Sequence, residues 1–97
     1  MWYLTLHRWV GDSAEAIKSS FDDHLSWLRE QQRAGKVLIA GPSRDRSVGI
    51  IVFGHLSTAY ELDELCGHEP FIARGYRTYE AIRWDVHQLL GLEVVWT

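Results

Sequence analysis

The stretch Phe21–Pro42, FDDHLSWLREQQRAGKVLIAGP, changes its hydrophobic period within a few residues, and this restricts the fold more than any other part of the chain. Up to Ala34 the apolar residues recur at helical spacing, and Gly35 is the residue expected just past a helix end. Lys36–Ala40 (KVLIA) is then an apolar run too short for a helix; it reads as a strand terminated by Gly41-Pro42. With Ile17 set at zero and about 100° per residue, Phe21 falls at about 40°, Leu25 at about 80° and Leu28 at about 20°, which makes one apolar stripe. His24 falls at about −20°, inside that stripe, while Asp22, Asp23, Arg29 and Glu30 point away from it. An ionisable ring is thus aimed at whatever the helix packs on, where burial and a partner set its protonation.

The flanking segments decide what that is. Trp2–Val10 is aromatic and β-branched with a period of two, and reads as a strand. Trp2, Leu4, Leu6 and Val10 share one face; Tyr3, Thr5, His7 and Trp9 share the other. Neither face is plainly polar, so both are expected to be covered. Gly11 breaks the strand, and Asp12, with Glu15 three residues on, opens a helix over Ser13–Ala34. Beyond the Ser43–Arg46 loop (SRDR), Val48–Gly54 is a second apolar strand that pairs with the first as a hairpin. Thr58 and Glu61 form a capping box for a helix with Ala59, Leu62, Leu65 and Cys66 on its apolar side, ending at Gly67. Pro70 suits a first helical position, which puts Glu69 at the cap of a single helical turn. Tyr76–His87 is the longest strand candidate, and residues 88–97 form a tail in which Leu92–Trp96 reads as a short extra strand.

The order βαββαβ, joined by short connections, places two helices on one face of a four-stranded antiparallel sheet: an α+β, ferredoxin-like plait in a single domain spanning residues 1–97. The other sheet face carries aromatic and aliphatic residues and has no cover within the chain. An exposed apolar face marks an interface, so a homodimer is expected, two sheets closing face to face into a barrel with the tail at the dimer interface. Five tryptophans in 97 residues point the same way.

Several classes are excluded. A net charge of −3 argues against nucleic acid and anionic membranes as partners. No apolar run is long enough to span a bilayer and no signal peptide is evident, which with the single Cys66 leads us to expect a cytoplasmic location. Cys66 sits at a helix C-terminus on the apolar side and reads as packing. His7, His24, His55, His68 and His87 show neither H-x-H nor H-x-x-x-H spacing, so no metal is expected.

The succession H-x-x-W-L (His24–Leu28), G-K-V-L-I-A-G-P (Gly35–Pro42), Gly49–Phe53 and E-P-F (Glu69–Phe71), closing with the strand through Trp84, resembles the YciI-like (YCII-related) family of small dimeric α+β barrel proteins. The resemblance implies a His–Asp pair in a cleft acting as acid/base machinery, and one such protein is a dehydrochlorinase active on a chlorinated hydroxyhydroquinone. His24 holds the histidine position; the acidic position, usually Asp before Pro-Phe, is Glu69 here. The expected site therefore has His24 and Glu69 as the catalytic pair, with Pro42, Ser43, Arg44 and Phe71 against the substrate and Arg44 or Arg46 placed to hold a carboxylate or phenolate. The function expected is cofactor-independent proton transfer, by elimination or isomerisation, on a small aromatic or enol-type molecule, since each needs only a base and an acid. The alternative is a non-catalytic small-ligand-binding or accessory module. An enzyme needs an oxyanion donor near His24, and a binder does not.

Overall fold

Alternation in the first ten residues produces β1 (Trp2–Trp9), and its two apolar faces place it inside the sheet. The structure, a computed structural model, describes residues 1–89 together with the backbone of Leu92–Glu93. After β1 come α1 (Ser13–Arg33), β2 (Val37–Pro42), β3 (Val48–Phe53), α2 (Ala59–Gly67), α3 (Pro70–Ala73) and β4 (Arg77–Trp84). The sheet order is β2-β3-β1-β4, with every neighbouring pair antiparallel. This is the ferredoxin-like plait. A short hairpin, β5 (Gln88–Leu89) with β6 (Leu92–Glu93), follows; the remainder of the expected tail strand lies outside the described residues.

Local chemistry accounts for the element ends. The Asp12 carboxylate accepts from the Ala14 amide at 2.9 Å, and the Thr58 hydroxyl accepts from the Glu61 amide at 3.2 Å. Glu61 reaches back to the Ser57 amide at 2.8 Å and also pairs with Lys36 at 2.7 Å, tying α2 to the start of β2. Several boundaries differ from expectation, the last strand ending at Trp84 and not His87 among them, and hydrogen bonding accounts for two. Gly41 and Pro42 continue β2 instead of ending it, pairing with Ile50 and Gly49. Since β2 is an edge strand, proline's missing N–H deprives no neighbour. At the other end, β4 starts at Arg77, because the Tyr76 amide is spent on the Phe71 carbonyl at 2.8 Å.

The register separates the two sheet faces. Tyr3, Thr5 and His7 lie opposite Phe53, Ile51 and Gly49 on the helix side; Leu4 and Leu6 lie opposite Val52 and Ile50 on the other. The core fills the helix side, where Tyr3, Trp27, Val37, Ile51, Phe53 and Leu62 form one buried cluster. The face that α1 buries is rotated from the apolar stripe read in the sequence. Ala16, Ser20, His24 and Trp27 are buried, while Ile17 and Phe21 remain about half exposed at 47% and 45%. Trp27 is large enough to decide the rotation: sinking it into the core turns Ile17, Phe21, Leu25 and Leu28 toward an open cleft. The cysteine is buried at the end of α2, and burial, with the charges of Asp63 and Glu69, pushes its thiol up to about 12, consistent with a packing role.

Polar groups also lie between sheet and helices. The Thr5 hydroxyl donates to the Ile51 carbonyl at 3.3 Å, so it accepts the His7 Nε2–H at 2.7 Å and leaves His7 Nδ1 as a buried acceptor with no partner. A second proton on this ring would be a buried charge. Burial first, then the charge of Arg77, push the His7 pKa down from 6.5 to about 4. Because the folded value lies below the unfolded one, the stability conferred by the neutral ring is fully present above pH 6.5 and is lost as pH falls through about 4. Urea unfolding at a series of pH values will show stability falling by about 3 kcal/mol over that window. His7→Gln will remove most of that slope, and an unchanged slope would place the titration elsewhere.

Candidate functional site

His24 sits in the middle of α1 on the edge of its buried face, 9% exposed. Across from it, the chain leaves α2 and enters α3 at Glu69, with Pro70 in the first turn. Glu69 is fully buried, and its two oxygens have separate partners. His24 Nδ1–H donates to Oε1 at 2.5 Å, and the Ile72 amide donates to Oε2 at 3.0 Å. Capping α3 and holding the histidine are thus one arrangement and not alternatives. The longer glutamate side chain lets one oxygen serve the cap while the other reaches α1. A second tie fixes the distance between these elements: Arg74, just after α3, donates to Ser20 Oγ and to Asp23 Oδ2, both on α1 and both at 2.8 Å.

Burial by itself raises the Glu69 pKa and is the largest influence on it. The hydrogen bond and charge of His24 and the backbone amides of Phe71 and Ile72 together outweigh it, so the carboxyl ends below its ordinary value of 4.5. With Nδ1 committed to Glu69, Nε2 is the His24 ring nitrogen with no hydrogen bond among the described residues. The ring rests on Phe71, with centroids 4.5 Å apart, and Trp9 meets the same phenyl ring edge-on at 5.0 Å.

His24 opens on a cavity of about 550 Å³. One wall is the displaced stripe of α1, Ile17, Phe21, Leu25 and Leu28; the facing wall is the β2–β3 hairpin, including Pro42, Gly49 and Ile51. Phe71 and Trp9 lie at one end, and Arg46 and Arg77 are the cationic residues in the lining. Of the residues expected from the sequence, His24, Pro42 and Phe71 line this cavity, and Glu69 stands behind His24, away from it. Ser43 and Arg44 do not line it. The Ser43 hydroxyl is used inside its own loop, donating to Asp45 Oδ1 at 2.8 Å and accepting from the Val48 amide at 3.1 Å. Hydrogen bonds from Ser47 and Ser43 hold the Asp45 carboxyl down at about 2. The loop thereby turns Arg46, at φ 67°, toward the cavity in place of Arg44. Arg77 escaped the sequence reading altogether. Its position, at the start of a strand and beside a glycine turn, looks like any solvated strand end, and only the tertiary fold brings it against Trp9 and Phe71 in the cavity lining.

Among the described residues, no group of three or more His, Cys, Asp or Glu is placed to hold a metal ion, and no helix is long and apolar enough to cross a membrane.

The Glu69 carboxyl has a folded pKa below its unfolded one, so the stability it confers is complete above pH 4.5 and is lost as pH falls through the lower folded value. Glu69→Gln keeps the shape and removes the charge. It will cost roughly 1–3 kcal/mol at neutral pH and flatten the acid limb of the stability profile below about 4.5, as read by chemical denaturation. An acid limb as steep as in the wild type would mean that Glu69 is not the carboxylate being titrated.

The model of the YCII-related domain matches residues 1–85. No curated protein matches the chain in sequence. Among solved structures, the 5-chloro-2-hydroxyhydroquinone dehydrochlorinase TftG from Burkholderia phenoliruptrix AC1100, in complex with 2,5-dihydroxybenzoquinone, is similar with a TM-score of 0.74 and 17% identity. That likeness covers 87% of this chain and 93% of the dehydrochlorinase, and at such identity it is a likeness of fold. With the family match extending over nearly the whole chain, from β1 through β4, the protein belongs to the YCII-related domain family.

Proposed function

We propose that this protein is a small cofactor-independent acid/base enzyme, a lyase or isomerase, in which His24 moves a proton on a small aromatic or enol-type substrate bound in the cavity. The observation that carries the reading is the His24–Glu69 pair at 2.5 Å, with the carboxylate fully buried and the ring at the cavity wall. A carboxylate on Nδ1 selects the tautomer in which Nε2 carries the lone pair, and it stabilises the imidazolium formed when Nε2 accepts a proton. Glu69 is a positioning residue in this scheme: it acts through His24 and does not reach the cavity. In an elimination, Nε2 takes a proton from the substrate, the electron pair left behind forms the new π bond, and the halide departs with the bonding pair. The substrate loses HX without net oxidation. In an isomerisation, the same nitrogen returns the proton at another carbon.

The similar dehydrochlorinase makes 5-chloro-2-hydroxyhydroquinone a rational first substrate, followed by solvent deuterium exchange into enolisable cyclic ketones for the isomerase branch. Turnover of one of these is expected, with His24→Asn lowering kcat by about 10²–10⁴-fold, the range of a positioned general base. Equal rates for His24→Asn and wild type would transfer the cavity to the alternative reading, a binding module without chemistry.

The same reading has a second copy covering the open sheet face. Ile39, Ile82 and Trp84 are exposed there at 64%, 53% and 45%, and Trp2, Leu4 and Leu6 lie between them in the register. A continuous apolar face of this kind marks an interface. Sedimentation at micromolar concentration is expected to give a dimer, and Ile82→Asp, on the open face and away from the cavity, a folded monomer. A wild-type monomer would sink the assembly.

A further inference from the structure

Arg77 has no part in the proton-transfer reading, yet its surroundings are unusual for an arginine. It opens β4, opposite Trp9 in the register and on the helix side of the sheet. Its side chain runs inward across the sheet. The guanidinium carbon lies 4.0 Å from the Trp9 ring centroid and 4.7 Å from that of Phe71. It ends beside Gly49 of β3, the strand on the far side of β1, so the side chain lies across β1. Gly49 makes this possible: a Cβ there would stand 3.1 Å from Nη1 and 3.4 Å from Cζ.

The guanidinium arrives without a counter-ion. Its Nε is buried and has no hydrogen-bond partner, and its terminal nitrogens make no hydrogen bond or ion pair among the described residues. Arg8, Lys36 and Arg74 each pair with a carboxylate, on Glu80, Glu61 and Asp23. Glu69 acts on Arg77 through its charge, but both of its oxygens are already occupied by His24 and the Ile72 amide. Burial pulls the Arg77 pKa below its ordinary value, which is the direction expected of a cation short of partners. A cation short of partners is costly to keep unless something satisfies it, and Arg77 lines the cavity that His24 also lines.

We propose that Arg77 is the anion receptor of this cavity, so that the ligand is a small planar molecule bearing an anionic oxygen, which the guanidinium holds while His24 Nε2 faces the rest of the ring. Two observations set the size and shape. His24 and Arg77 both lie against the Phe71 ring, at 4.5 and 4.7 Å, so they are no farther apart than those two distances combined, which one six-membered ring can span. Apart from Ser13 and Arg46, the rest of the lining is aliphatic, aromatic or glycine, which suits a flat apolar framework. The planar guanidinium, held against the Trp9 and Phe71 rings, presents its N–H groups as a fork toward a carboxylate, phenolate or enolate oxygen. In a base-initiated reaction the same fork stabilises negative charge developing on that oxygen. The proposal rests on the reading of this cavity as the ligand site, but not on His24 performing chemistry.

Benzoate and benzamide separate the two questions, since they share a shape and differ in charge at neutral pH. Calorimetric titration at low ionic strength is expected to show benzoate binding about tenfold or more tightly than benzamide, the equivalent of about 1.4 kcal/mol. Arg77→Gln will abolish that preference while changing benzamide affinity little. Arg77→Lys, which keeps the charge without the fork, will retain part of it. Gly49→Ala, which crowds Nη1, will lower the ratio of benzoate to benzamide affinity and supplies the comparison if Arg77→Gln fails to fold. Benzoate that does not bind, that binds no better than benzamide, or that keeps its preference in Arg77→Gln overturns the proposal. His24→Asn is expected to keep the benzoate preference, so loss of the proton-transfer reading would leave this one standing, and the reverse also holds.

Discussion

The hydrogen bond from His24 Nδ1 to Glu69 Oε1 joins the middle of the long first helix to the start of the shortest one, across 45 residues of chain. Much of the local architecture answers to it. Glu69 can be fully buried and still ionised only because every oxygen has a donor, one from an imidazole and one from the amide of Ile72. The Pro70 start of α3 presents that amide, and the Arg74 clamp on Ser20 and Asp23 holds α1 at the distance the pair requires. Without a carboxylate at position 69, the single turn Pro70–Ala73 would lose its cap and His24 its orientation together.

Behind this pair the interior is more polar than an ordinary small core. Thr5, His7, Ser20 and Glu69 are all buried on the helix side of the sheet. His7 is held neutral by burial and by Arg77, while Glu69 is held charged by His24 and backbone amides. Two titratable groups with opposite preferences keep the charge of the region asymmetric. The charge is concentrated at the cavity end, where Arg77 and His24 meet Phe71, and not at the Thr5–His7 end. That asymmetry is what distinguishes the cavity from a mere gap between helix and hairpin.

The cavity itself follows from a packing choice. Trp27 and the Ile17–Phe21–Leu25–Leu28 stripe compete for the sheet, and the helix cannot bury both. Trp27, stacked edge-on toward Phe53 at 6.4 Å, goes to the core, and the stripe is left lining an apolar cleft over the β2–β3 hairpin. The bulge between Val37 and Ile39 and the extension of β2 through Pro42 shape the other side of that cleft.

Read alone, the sequence was sufficient for the order of elements, the plait, the caps at Asp12 and Thr58 and the residues of the His24–Glu69 pair. These depend on short-range rules, period and capping chemistry, and on the family resemblance that links two positions far apart in the chain. It set the buried face of α1 too far round toward Ile17 and Phe21, because a stripe of four medium-sized apolar residues outweighs one tryptophan in a periodicity count, although not in a packed interior. It expected Ser43 and Arg44 against the substrate; neither lines the cavity, because a loop's side-chain directions follow from its turn geometry, here the Asp45 hydrogen bonds and the positive φ at Arg46. It gave no sign of Arg77. What makes that residue notable is a glycine two strands away, its place against the Trp9 and Phe71 rings, and the lack of a counter-ion among the described residues, and each of these is a long-range relation that exists only once the strands are in register.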